Sequence, residues 1–279
     1  MNPALNKNAA YAGSKNELGP LMRYWRGKRG KSQLEVSFDT GISQRHISFI
    51  ESGRSNPSRQ AVIDISQALD VPLRERNMLL QAAGYAAVYS DSPLDASEMQ
   101  SLRKALERML LQHAPFPAIV MDRYWNVLMR NDSALRFFNG FIDMSARTGP
   151  GNMLHLIFDP EGMRPFVVNW EQTARSLIQR VYHESIGRVV DEKTEELLQS
   201  LHAYPDVEED WKTSGQIAMT PNAPVIPLSF IKGGTVMNYF SMVTTVGTPQ
   251  TISAQELRIE CMFPADEDTE VKHIQMLGH

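Results

Sequence analysis

Lys31-Ser-Gln-Leu-Glu-Val-Ser-Phe-Asp-Thr-Gly-Ile-Ser-Gln-Arg-His-Ile-Ser-Phe-Ile-Glu-Ser-Gly-Arg54 divides into two short helices joined by a tight turn. Ser32 offers a hydroxyl N-cap to the first helix. Gly41 falls where that helix must stop and the backbone must turn sharply, which suits a residue free to take positive φ. Ser43 is placed to cap the second helix and Gly53 to end it. Val36, Ile42, Ile47 and Ile50 can form one apolar side, while Gln44, Arg45, His46 and Ser48 include the outward positions. A helix needs this division if one face packs and the other lies in the major groove of a duplex. The plain alternative is a helical hairpin with ordinary solvated charges.

Outward from this stretch, residues 16–88 read as a helical bundle. Leu18, Leu21, Met22 and Trp25 repeat at helical spacing. Ser58 can cap a further helix that carries Val62, Ile65 and Leu69 inward, and Pro72 ends it or begins the next. Residues 74–83 make a final helix stopped by Gly84, which gives five helices in all. Residues 1–15 are expected to be a polar, disordered tail, and 89–97 a turn-rich linker. Residues 1–90 hold 12 basic and 7 acidic side chains, a net of +5, whereas the remainder holds 16 and 25, a net of −9. A basic front and an acidic back fit one domain for nucleic acid and another for something else.

The spacing of these residues closely resembles the helix-turn-helix of phage-repressor-like regulators, the XRE family. The similarity runs from Leu18 to about Tyr85 and takes in Arg29-Gly-Lys-Ser-Gln33, Ile50-Glu-Ser-Gly-Arg54, Asn56-Pro-Ser58 and Ala68-Leu-Asp-Val-Pro-Leu73. Ser37 stands where the family usually has Ala, and Thr40 replaces a common small apolar residue before the turn Gly. Both are small, so the two helices are still expected to approach. The resemblance implies that Gln33 anchors to phosphate, that Gln44, Arg45 and Ser48 face bases, and that Ser43 belongs to the same surface. A Gln amide can pair with adenine N6 and N7, and Arg with guanine O6 and N7. Arg54 and Arg59 suit phosphate contacts, which position the module without reading sequence. His46 either touches phosphate or only covers the surface.

Residues 98–279 change character. A helix from Glu98 to about Gln112 precedes two short strands, 118–121 and 125–129, around an Asp122-Arg123 turn. Helices are expected at 133–138, 152–158, 163–183 and 191–203. Then 225–231, 236–246 and 256–264 alternate or run apolar, with Gly233-Gly234 as a hairpin turn, and 269–277 is a closing helix. Two early strands, a helical insert and three late strands predict one antiparallel sheet with helices on one face. The fold class is therefore an all-α domain followed by an α+β domain.

That order resembles the MmyB-like ligand-binding domain, a PAS-like module found behind this kind of helix-turn-helix. The matching pieces include Asp122-Arg-Tyr-Trp-Asn126, Asn152-Met-Leu-His-Leu-Ile-Phe-Asp-Pro160, Trp170 with Ala174 and Leu177, and Phe263-Pro-Ala-Asp-Glu-Asp-Thr269. The resemblance implies a mostly apolar pocket and a small, fatty-acid-like ligand. Phe137, Phe138, Phe158, Trp170, Phe230 and Tyr239 are candidate ligand walls, or simply core. Asn131, with Arg130 and Arg175, is a candidate for a ligand carboxylate. Repressor-like modules commonly work as dimers on two half-sites, so a homodimer on double-stranded operator DNA is expected. A second domain that only dimerises and binds nothing is the alternative.

An enzyme is the reading from a different class. His113, His155, His183 and His202 are scattered, and no HExxH, GxSxG, P-loop or GxGxxG after a strand occurs. The acidic run Glu208-Glu-Asp210 reads as solvated. No catalytic residue, metal or further cofactor is expected. Cys261 is the one cysteine, so no intrachain disulfide can form. No apolar run is long enough to cross a bilayer, and the first residues lack an apolar signal core, which points to the cytoplasm and the nucleoid.

Overall fold

The computed structural model describes residues 17–147, 151–184, 191–208 and 228–278. The tail at 1–15, Glu209-Asp210, the strand start at 225–227 and the side chain of His183 lie outside the described residues. The chain separates into two compact units, one running through Asp91 with 250–252, the other 92–249 with 253–279.

The first unit is five helices: α1 (Leu18–Lys28), α2 (Gln33–Thr40), α3 (Gln44–Glu51), α4 (Arg59–Ala68) and α5 (Leu73–Ala82). Their ends follow the punctuation read from sequence. Ser32 accepts from the Glu35 backbone N–H while the Glu35 carboxylate accepts from Ser32 N–H, a reciprocal cap. Gly41 closes α2 at φ 71°, Ser43 caps α3 and Ser58 caps α4. Thr40 is more than a tolerated substitute. Its hydroxyl donates to Val36 O at 2.7 Å and accepts from Ile42 N–H at 3.2 Å, so it bridges helix and turn. Met22, Trp25, Val36, Ile47, Ile50, Val62, Ile65 and Leu69 are buried as expected, while Leu21 and Ile42 are half-buried. Gly19 sets how closely α1 and α3 approach, because a Cβ there would sit 2.4 Å from the backbone oxygen of Glu51.

The second unit opens with a 3-10 turn, Ser97–Met99, and α6 (Gln100–Gln112). Next come β1 (Ala118–Met121), β2 (Val127–Arg130), α7 (Asp132–Asn139) and α8 (Met153–Phe158). A second 3-10 turn, Arg164–Phe166, precedes α9 (Trp170–Glu184) and α10 (Glu192–His202). The chain closes with β3 (Leu228–Lys232), β4 (Thr235–Thr244), α11 (Ile252–Glu256), β5 (Arg258–Pro264) and α12 (Glu267–Leu277). The strands form one antiparallel sheet in the order β2-β1-β5-β4-β3. Gly233 and Gly234, both at positive φ between the paired Lys232 and Thr235, make the two-residue hairpin turn.

Three expectations are corrected. Helices cover both faces of the sheet. Ile119, Met121 and Met262 enter the larger core, whereas Ala118, Val120 and Ile259 pack beneath Leu106 and Leu110 of α6 on the opposite side. All four residues of β1 are buried, so its alternation is erased. The single helix at 163–183 is broken, because Val168 N–H donates to Ser229 O and Val167 bridges Phe230. That tertiary pairing leaves Asn169 at φ 56° before α9 starts. Glu256 belongs to α11, a five-residue helix too short to register as a period, and the last strand begins at Arg258.

Deep in the larger core, His273 is fully buried. Its Nε2 lies 3.1 Å from Pro115 O and its Nδ1 2.8 Å from the Tyr239 hydroxyl. A carbonyl only accepts, so Nε2 carries the proton and Nδ1 accepts from Tyr239, the neutral imidazole. Burial pushes the His273 pKa below its ordinary value.

Two predictions follow from this packing. Gly19→Ala forces α1 off α3 and is expected to cost about 1–3 kcal/mol, read as a lower Tm of the first unit; an unchanged Tm refutes the close approach. For His273 the unfolded chain takes up the proton first as pH falls, so its contribution is present near neutrality and lost below about 6.5. The urea midpoint of the second unit is expected to fall between about pH 7.5 and 5.5, with a shallower fall in His273→Gln.

Candidate nucleic-acid interface and sensor core

α3 is held from beneath and open above. Ile47 and Ile50 point into the five-helix core, and the Ser43 cap fixes the first turn by accepting from His46 N–H at 3.3 Å. On the other edge Gln44 and Arg45 are exposed, and His46 and Ser48 are half-buried. The Arg45 guanidinium lies 5.3 Å from the Phe49 ring centroid one turn on, a cation–π contact that orients it without neutralising it.

Charge pairing sharpens the surface. Arg26, Arg29, Lys31 and Arg74 each meet a carboxylate, on Glu51, Asp70, Asp39 and Asp91. Among the described residues Arg45, Arg54 and Arg59 meet none, and neither does Arg23, which the sequence reading did not single out. Unpaired cations beside an open helix edge leave positive potential for phosphates.

Gln33, the first residue of α2, is half-buried, and its Nε2 donates to Glu51 Oε2 at 2.8 Å. Glu51 ends α3 and is only 5% exposed. It also takes a bidentate pair from Arg26 of α1, at 2.7 and 3.0 Å. That hydrogen bond raises the Arg26 pKa further. One carboxylate thus ties three helices and holds the Gln33 amide with its second N–H uncommitted. This network was missed from sequence. Glu51 sits in an otherwise apolar helix end, but its partners lie 25 and 18 residues away.

In the second unit the structure brings six of the seven candidate ligand residues into one core. Phe137, Phe158, Phe230 and Tyr239 are fully buried, Phe138 nearly so, and Trp170 packs against them partly buried. Phe137 meets Phe230 and Tyr239 edge-on, each at 5.3 Å, and Phe158 meets Trp170 at 5.1 Å. Asn131 stands apart. It caps α7 through Ala134 N–H, also accepts from Ala118 N–H, and donates to Leu110 O and Phe116 O. Its amide is spent on backbone, so it joins α6, β1 and α7 instead of facing a ligand. Arg130 is exposed, and Arg175 pairs with Glu171 along the exposed side of α9.

Polar groups absent from the sequence reading border this core. His155 Nδ1 lies 3.0 Å from the Tyr204 hydroxyl and Nε2 3.4 Å from Ser200 Oγ, and burial holds its pKa below the ordinary imidazole value. At Asp159 burial opposes the charge, but the Arg147 guanidinium at 2.6 Å and the Glu161 backbone N–H outweigh it and keep the carboxyl low. Arg164 pairs with Asp206 at 2.5 Å and lies 4.7 Å above the Trp170 ring. The Trp170 Nε1–H is buried and finds no acceptor among the described residues. Elsewhere Arg123, almost wholly buried, bridges Glu256 at 3.1 Å and Asp191 at 3.2 Å.

Among the described residues no three His, Cys, Asp or Glu side chains gather as a metal site, and no helix is long and apolar enough to cross a membrane. His113 Nε2 lies 2.7 Å from Met262 O, and burial raises the Cys261 thiol pKa.

Comparison with known families agrees with both halves. Residues 22–76 match the model of the helix-turn-helix family, and residues 102–274 match that of the MmyB-like transcription regulator ligand binding domain. No curated protein matches the chain. The second match spans more than half of the 279 residues, so with its DNA-binding head and ligand-binding domain the chain belongs to the MmyB-like transcription regulators.

Proposed function

We propose that α3 enters the major groove of an operator, with Gln44, Arg45 and Ser48 reading base edges. Ser43, His46, Arg54 and Arg59 meet phosphates, as does the second N–H of Gln33. The observation that carries this reading is the open edge of α3, where Gln44 has no partner among the described residues and Arg45 only a ring. The protein acts as a cytoplasmic homodimer, because two half-sites about 34 Å apart ask for two heads. The second domain takes a small ligand with an apolar body, of fatty-acid type. Binding changes operator affinity by favouring one dimer arrangement over another.

One observation favours the narrower reading of a second domain that only dimerises. Phe137, Phe230 and Tyr239 fill one another's edges at 0% exposure, as plain core does. Native mass spectrometry of the purified full chain separates the two. The sensor reading expects a dimer mass plus a released small molecule; a dimer of bare chain mass under gentle ionisation supports the narrower one, and a monomer refutes both.

On DNA, Gln44→Ala and Arg45→Ala are each expected to lose about 1–3 kcal/mol of discrimination at one base position. Arg54→Ala and Arg59→Ala should weaken all sequences alike and lower the slope of log K against log salt by about 0.9 per contact. Competition binding across operator variants reads both; unchanged preference in the first pair overturns the base-reading assignment.

A further inference from the structure

The Trp170 indole presents a buried donor with nothing among the described residues to receive it. Buried polar atoms nearly always have a partner, and an indole N–H that lacks one needs an explanation. Here the ring cannot swing away to find water. Phe158 meets it edge-on at 5.1 Å, and Arg164 covers its face at 4.7 Å. Arg164 is itself fixed, donating to Pro205 O at 2.8 Å and to Asp206 at 2.5 Å. The indole is clamped, and among the described residues no oxygen stands within hydrogen-bond reach of its N–H.

An indole N–H donates and never accepts, so its partner must bring an oxygen lone pair. The surroundings say which kind. Arg164, over the ring, and Arg147, farther along the border of the core, already have their charges met by Asp206 and Asp159. His155 is held toward its neutral form and engaged with Tyr204 and Ser200. Phe158, which meets the indole, belongs with Ala174 and Leu177 to the same apolar core. A free carboxylate would find both of these guanidiniums already paired, whereas a neutral carbonyl asks only for the donor that is present.

We propose that the Trp170 Nε1–H is the polar anchor of the ligand site, and that it binds the neutral carbonyl oxygen of a ligand whose body is apolar. This rests on reading the second domain as a sensor; it narrows the fatty-acid-type ligand to one whose head group is an uncharged carbonyl, and it replaces Asn131, Arg130 and Arg175 as the orienting group.

The test uses the full chain with 15N-labelled indoles, four in number, and three probes of equal length: 2-octanone, octanoic acid and octane. The ketone is expected to bind and to move one indole N–H signal, the one missing from Trp170→Phe. Octane is expected to leave it in place. Trp170→Phe is expected to weaken the ketone about tenfold, the size of one hydrogen bond, with octane unchanged. Should that variant not fold, the wild-type spectra suffice, because one indole must answer the ketone and not the alkane. If the ketone binds with every indole signal still, or binds the variant equally, the anchor is wrong and the sensor reading stands. If octanoate binds much more tightly than the ketone, an unmatched cation is the anchor and the proposal falls. If none of the three binds, the apolar-sensor reading falls and the anchor with it.

Discussion

The DNA-binding head depends on one buried carboxylate. Glu51 terminates α3 and holds Arg26 of the first helix and Gln33 of the second through both its oxygens. A carboxylate taken out of water is costly, and an ion pair does not by itself make a fold more stable than well-packed apolar groups would. What this arrangement supplies is geometry. Planar bidentate pairing has one good alignment, and slippage of α3 against α1 would strand a charge. Gly19 permits the same crossing at backbone distance, so a missing Cβ and a matched charge enforce one angle from two directions. The edge that carries Gln44 and Arg45 is therefore aimed by residues that need touch no base.

In the second unit a different constraint rules, the burial of β1 on both faces. With α6 on one side and the aromatic core on the other, the centre of the sheet cannot shift without disturbing both. Buried polar groups fix the surroundings of that core. Asn131 locks the end of α6 to β1 and α7, and Arg123 ties the Asp191 cap of α10 to Glu256 at the end of α11. At Asp191, burial opposes the charge, but the Thr194 bond and Arg123 prevail and keep the carboxyl low. The segment that carries α10 against the core is thus anchored through charge, and the core itself through shape.

What was legible in the sequence was local. Ser32, Gly41, Ser43 and Ser58 act within a few residues, so the five helices and the exposed edge of α3 could be read directly. The hairpin at Gly233-Gly234 was equally plain, since both residues must take positive φ. What escaped was set by distant partners. Gly19 reads as a weak helix residue until Glu51 O is beside it, and the break before Trp170 needs Ser229 O to receive Val168 N–H. The faces of β1 were ambiguous because a strand buried on both sides loses its alternation. Asn131 was read as a ligand group although an Asn just ahead of a helical run is first of all a cap. The aromatic set was found because it is apolar, and for that reason its members did not distinguish wall from core. Trp170 separates from the rest only through an atom without a partner among the described residues, a property of contacts and invisible in composition.

That atom also bears on how a small ligand can move a large equilibrium. Allosteric coupling between two sites commonly amounts to about 1–3 kcal/mol. An unmatched buried donor costs an amount of the same order, about 1–3 kcal/mol. A ligand that satisfies Trp170 in one arrangement of the domain and cannot reach it in another would distinguish the two by roughly that difference, without any large change in buried area. Apolar burial supplies affinity, at about 0.8 kcal/mol per methylene, but it is nearly indifferent to small shifts of the walls. A hydrogen bond is directional and fails within an ångström or so. In a core built mostly of edge-to-face rings, a directional donor still unmatched among the described residues is well suited to make binding sensitive to conformation, and affinity and signal then come from different atoms of the same ligand.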